Sequence, residues 1–289
     1  MEGLKKLFLP ITATVNFIQN HFKAMVFILI VILIFMPKGD SSLIPHNLEK
    51  ISLTGPIMDV SEIVKKIDDA RLNERVKGVL MVVNSPGGAV APSIEVAYAI
   101  KRLRRVKPVV VYASGTIASG SYYSSIWANE IIANPGSMVG SIGVIMQGAN
   151  LSEIMHKIGI KSQVVMAGKY KQLGTPDREW LPYEKAELNK VIQDTYNMFV
   201  NDVASARRLK IEDAPSFANA HIFTASQAKA VGLIDKIGVS YDAQEELIRL
   251  SGVKTPLWNK EDPMEEFIKK ISAQAAVTLN TYFPALVLK

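Results

Sequence analysis

Gly78-Val79-Leu80-Met81-Val82-Val83-Asn84-Ser85-Pro86-Gly87-Gly88 is the stretch on which the fold turns. From Val79 to Val83 no polar side chain interrupts the run. A strand with one wet face would alternate, so a continuous apolar strand predicts helices covering both faces of a sheet. Working outward, Ile51–Ile57 reads as a preceding strand that stops at Gly55-Pro56. Val60, Ile63, Val64 and Ile67 then fall at helical spacing, with Ser61 as the expected cap of a helix reaching Leu72. On the other side come a helix over Ser93–Arg104, a strand at Val109–Tyr112, a small-residue helix from Ser119 and a short strand at Ile131-Ile132. A strand at Gln163–Met166, a long helix over Pro182–Leu209 and an α/β piece from Phe223 to Ser251 complete the pattern. Strands alternating with helices predict an α/β fold with a mostly parallel sheet.

The N-terminal region differs in character. Ala24 to Met36 is an unbroken apolar run of thirteen residues, preceded by Lys23 and followed by Pro37-Lys38. A span normally takes ~20 residues, and the weakly polar stretch 15–22 extends this one into the membrane interface. Lys5, Lys6 and Lys23 precede the run, so the positive-inside bias predicts a cytoplasmic N-terminus and an extracytoplasmic domain. The expected organisation is a cytoplasmic segment at 1–23, a membrane anchor at 24–38, a tether at 39–49, an α/β domain at 50–255 and an amphipathic tail at 256–289. In that tail Phe267, Ile268 and Ile271 oppose Lys269 and Lys270.

Composition excludes some chemistry. The 289 residues contain no cysteine, which removes disulfides, a thiol nucleophile and thiolate metal ligands. The net charge of +6 is scattered in pairs such as Arg104-Arg105 and Arg207-Arg208, without an aromatic-interleaved basic patch, so no nucleic-acid partner is expected. Glu153 and His156 form one Glu-x-x-His spacing without a second carboxylate–histidine set, so no metal is expected and no cofactor either.

The chemistry-bearing residues lie at strand ends. Asn84-Ser85-Pro86-Gly87-Gly88 follows the apolar strand, and Gly-Gly there lets backbone N–H groups face a cavity as an anion hole needs; a plain turn is the simpler alternative. Ser114-Gly115-Thr116-Ile117-Ala118-Ser119-Gly120-Ser121-Tyr122-Tyr123 follows the third strand. Ser119 at the start of a helix is a candidate nucleophile, and the N–H of Gly120 can aim at the same oxyanion as the Pro-Gly-Gly amides. The alternative is a small-residue stretch that merely lets helix and sheet pack closely. None of His21, His46, His156 or His221 occupies a Gly-rich strand end, so a histidine base is not indicated. Lysine is the other option, and a lysine base must be neutral, through desolvation or neighbouring positive charge. Lys169 and Lys171 lie in the Gly-flanked segment Ala167–Pro176; most lysines in such loops are simply solvated.

Taken together and in this order, the motifs resemble the signal peptide peptidase A family, in its short form, of the ClpP/crotonase clan. Asn84–Gly88 is similar to the family's oxyanion loop. Ala118-Ser119-Gly120-Ser121-Tyr122-Tyr123 is similar to its nucleophile motif, usually Ala-Ser-Gly-Gly-Tyr-Tyr. Gly140-Ser141-Ile142-Gly143-Val144, the lysine segment Lys169–Arg178 and the late element Phe223–Asp235 follow. Ser121 and Ala225 stand where the family usually has glycine. The resemblance, over Lys50 to Leu250, implies a ClpP/crotonase-like βαβ superhelix behind an N-terminal transmembrane helix. It implies a Ser119–Lys171 dyad, oxyanion amides from Gly88 and Gly120, and Ser141 orienting the lysine. Its further implications are remnant signal peptides and other membrane-associated peptides as substrates, a ring-like homo-oligomer in which a neighbour can supply Lys171, and a single-pass protein of the inner (plasma) membrane. Rival expectations on the same fold are a ClpP-class membrane protease specific for one partner protein, a catalytically retired scaffold, and a crotonase-type acyl-CoA enzyme. The last would work with carboxylates and has no use for a Ser–Lys pair.

Overall fold

The computed structural model describes residues 19–28 and 46–259. Residues 19–28 are helical, and among the described residues no helix is long and apolar enough to cross a membrane. The rest of the expected anchor, most of the tether and the tail beyond Asn259 lie outside the described residues. Residues 46–259 fall within one compact unit.

That unit is built on a seven-stranded sheet. Its strands are β1 (Leu48–Thr54), β2 (Gly78–Ser85), β3 (Val109–Ala118), β4 (Glu130–Ala133), β5 (Met138–Gly140), β6 (Ile222–Thr224) and β7 (Lys236–Ile237). The order β1-β2-β3-β4-β7 is parallel throughout; β5 pairs parallel with β3 and antiparallel with β6. The crossovers are α1 (Ser61–Leu72), α2 (Val90–Arg104) and α3 (Gly120–Ser125). Beyond β5 come α4 (Ser152–Lys157), α5 (Pro182–Arg207), α6 (Ala214–Phe217), α7 (Ala225–Ala230) and α8 (Ser240–Ser251). The α/β prediction with a mostly parallel sheet is therefore borne out.

The central strands show why their sequence does not alternate. Val79, Met81, Val83, Val109, Val111 and Ile131 enter a core shared with α1, α2 and α3. Leu80, Val110, Tyr112 and Ile132 point the other way, onto Ala243 and Leu247 of α8. Successive side chains leave a strand on opposite faces, so a strand covered on both sides must be apolar at every position.

Three local expectations are corrected. Ser61 does not cap α1: Val60 is the capping position, and Asp59 Oδ1 accepts from the Ser61 N–H at 2.9 Å. Helix α2 begins at Val90, because Pro92 sits in a first turn whose N–H groups need no helical partner. Gln163–Met166 is not a strand; it pairs with no other strand among the described residues, and Val165 is fully exposed. Propensity alone does not make a strand when nothing lies alongside to complete its ladder.

The long β3 places the site. Its first half, Val110–Ala113, pairs with β4, and its second half, Thr116–Ala118, pairs with β5. Between β2 and β3 the register shifts at Val83/Ser85, and the strands pair again at Ser85 and Ile117, just before β3 delivers its last residue. Asn84 Oδ1 holds the irregularity by accepting from the Thr116 N–H at 3.0 Å.

Candidate active site

Ser119 occupies the turn from β3 into α3 with φ 54° and ψ −125°. Positive φ is strained for a residue with a Cβ and persists only where the surroundings enforce it. Here the Ser119 N–H donates to Gly140 O at 2.8 Å, and Ser119 O accepts from the Tyr123 N–H at 3.0 Å. Gly140 (φ 106°) and Ser141 (φ 50°) turn in the same neighbourhood, and the Ser141 N–H donates to His221 O at 2.7 Å. Helix α3 is itself anchored from behind. The buried Tyr122 hydroxyl donates to Leu233 O at 2.8 Å. Tyr123 donates to Asp202 and meets Phe199 of α5 edge-on at 5.0 Å. Burial, reinforced by the Asp202 carboxylate, pushes the Tyr123 hydroxyl well above its ordinary range, so it stays a donor.

The Pro-Gly-Gly turn lies against this serine. Gly87 has φ +98°, and a methyl on it would sit 2.7 Å from Gly120 N and 2.9 Å from Ser119 Cβ. Ile57 donates to Gly87 O at 2.9 Å and accepts from the Ala89 N–H at 2.8 Å. In such a parallel bridge the residue between, Gly88, directs its own N–H away from Ile57. A methyl on Gly120 would lie 3.2 Å from Gly88 N, which shows how close the two amides are. Among the described residues neither the Gly88 nor the Gly120 N–H has an acceptor. Two unused amides beside a strained serine form an arrangement suited to a tetrahedral oxyanion. With only six residues, α3 has little macrodipole to offer, so discrete amides outweigh the dipole invoked for Ser119.

The structure thus brings together Ser119, Gly120 and Gly88, with Ser141 one residue beyond the carbonyl that holds Ser119. Lys171 is not among them. It lies in an exposed turn, its N–H donating to Gly168 O at 3.2 Å, and within this chain it makes no hydrogen bond to Ser119 or Ser141. The turn is nonetheless built. Arg178 grips Glu184 with two bonds of 2.7 Å and reaches Gln172 Oε1 at 3.3 Å, and Trp180 donates to Thr175 O at 2.9 Å. Glu184 also accepts from the Leu181 N–H at 2.8 Å; the Arg178 guanidinium, then this amide, holds its carboxyl down to about 2. It is enclosed by its own loop and helix end, not by the main core.

Sequence reasoning gave the Ser85 hydroxyl no role of its own within the Asn84–Gly88 loop. Ser85 Oγ accepts from the Gly87 N–H at 3.1 Å, a serine turn that Ser-x-Gly after a strand could have signalled.

The family model for Peptidase family S49 matches residues 101–254. A Methanocaldococcus jannaschii protein whose name proposes a protease is 42% identical over 68% of this chain and 64% of its own length. A Synechocystis protein, likewise named as a proposed protease, is 35% identical over 75% of this chain and 80% of its own. The chloroplastic serine protease SPPA of Arabidopsis thaliana is 31% identical over 65% of this chain and 28% of its own. Among solved structures, a membrane-bound stomatin-specific protease mutant covers 76% of this chain and 96% of its own at 13% identity, TM-score 0.49. A Listeria monocytogenes ClpP1 mutant covers 67% and 93% at 15% identity, TM-score 0.47. The chain belongs to peptidase family S49, in agreement with the signal peptide peptidase A resemblance drawn from its motifs.

Proposed function

We propose that the chain is a membrane-anchored serine endopeptidase whose nucleophile is Ser119 and whose general base is Lys171. The observation that carries this is the strained Ser119 lying against two amides, of Gly88 and Gly120, that have no acceptor among the described residues. The neutral Lys171 amine takes the Ser119 proton as Oγ attacks the scissile carbonyl. The two amides hold the oxyanion. The lysine ammonium then protonates the leaving amine, and water, deprotonated by the same lysine, releases the acyl group. Ser141 orients the lysine, and the scheme uses no metal or cofactor.

The base reaches the serine in a homo-oligomeric ring. The segment leading to Lys171 exposes the apolar side chains of Ile145, Ile154, Ile158, Val164 and Val165. Packing that segment on a neighbour would bury it and deliver the lysine from one copy to the serine of another. The substrates are remnant signal peptides and other membrane-associated peptides. An anchor in the inner membrane, with the domain on the extracytoplasmic side, concentrates the enzyme where they lie.

The test is hydrolysis of a signal-peptide fragment in vesicles by the full-length chain. Ser119→Ala and Lys171→Ala should each remove turnover, by at least about 10³-fold. A mixture of the two variants, co-assembled, should regain part of it. Undiminished hydrolysis by Ser119→Ala would exclude the assignment.

A further inference from the structure

Resting on Ser119 as nucleophile, we infer that Ser121 is a positioning residue whose hydroxyl fixes the distance between the oxyanion loop and the nucleophile turn. Ser121 is fully buried in the first turn of α3, at the position where the motif resemblance implies glycine. Its Oγ accepts from the Ala118 N–H at 2.8 Å and lies 2.7 Å from Ser85 O and 2.9 Å from Ala118 O. A hydroxyl has one proton and two lone pairs, so it accepts from Ala118 and donates to one carbonyl or shares the proton between both. Either way one atom touches the last residue of β2 and the last residue of β3.

Those two residues flank everything the site needs. Ser85 leads through Pro86 to Gly87 and Gly88, and Ala118 leads directly to Ser119 and Gly120. They also sit just past the irregularity in the β2–β3 ladder, where the register has shifted and Ser85↔Ile117 is the last pair. A glycine at 121 has no side chain to bridge the two residues. Ser85 supplies a second tie within the oxyanion loop, through Oγ to the Gly87 N–H. Ser121 never faces the reacting atoms. It acts by holding the Gly88 amide at the height where the oxyanion forms, which affects the transition state more than substrate binding.

The experiment uses the full-length chain in detergent, with a fluorogenic peptide as substrate and a peptide phosphonate to titrate active serines. Ser121→Ala, and Ser121→Gly as the family's usual residue should alanine fold poorly, are compared with the unaltered protein per titrated site. We expect kcat to fall about tenfold with KM within about twofold, and the phosphonate reaction at Ser119 to slow in parallel. A purely structural role would lower the fraction of titratable sites and leave turnover per site unchanged; that outcome, or unchanged kcat in both variants, overturns the inference. If the unaltered protein itself takes no phosphonate at Ser119, the nucleophile assignment falls and the Ser121 role falls with it.

Discussion

At the scale of single residues, the site depends on places where no side chain fits. A methyl on Gly120 would collide with Ser93 Oγ, which is buried and donates to Ala89 O at 2.8 Å. Gly120→Ala must therefore turn Ser93 Oγ out of its bond to Ala89 O, or else shift α3 and the amide proposed for the oxyanion. We expect peptide turnover to fall about 10²-fold or more, as for loss of one oxyanion donor. Ser93→Ala in the same chain should restore part of it, because the next contacts, to Ser93 Cβ and Gly88 N, are at 3.2 Å. A Gly120→Ala variant with full turnover would mean that this amide is not used. Ser119 itself stores strain of about 1–3 kcal/mol, the ordinary cost of such a backbone conformation, and its bonds to Gly140 and Tyr123 hold it there.

At the scale of elements, the turn that bears Lys171 is held by the Arg178–Glu184 clamp at the start of α5, and this makes it acid-sensitive. Glu184 titrates near 2 in the folded chain against 4.5 ordinarily. A depressed carboxyl stabilises above its unfolded pKa, so the contribution is intact above about 4.5 and is lost as pH falls through about 2. Hydrogen-exchange protection across residues 168–184, taken relative to the intrinsic rate at each pH, should fall over that window. Glu184→Gln should show low protection already at neutral pH and little further loss on acidification. Equal protection in both proteins would show that the clamp does not hold the turn.

Elements also differ in how far the sequence discloses them. Val79–Val83 could be read because burial on both faces removes every polar residue from the strand. Ser119, Gly88 and Gly120 could be read as candidates because small residues at strand ends are what close backbone approach requires. Gln163–Met166 misled because β-branched residues speak of a strand, whereas its exposure within this chain depends on what lies beside it. The role of Ser121 was illegible for a similar reason: the meeting of Ser85 with Ala118 follows from a register slip between strands far apart in sequence.

At the scale of the whole molecule, one chain presents a completed nucleophile and oxyanion amides but keeps Lys171 on an exposed, apolar arm. That division explains why the assembly, in our account, is the catalyst. Under that proposal a lone copy would hold a serine that no base activates, and peptide cleavage would wait on assembly. That catalyst, as proposed, works through Ser119 Oγ as the attacking atom. Its most direct test is to treat the assembled full-length protein with a peptide phosphonate and map the modified residue by mass spectrometry. A single adduct is expected on Ser119, absent in Ser119→Ala and strongly slowed in Lys171→Ala. An adduct on another serine, or undiminished labelling of Ser119→Ala, would contradict it.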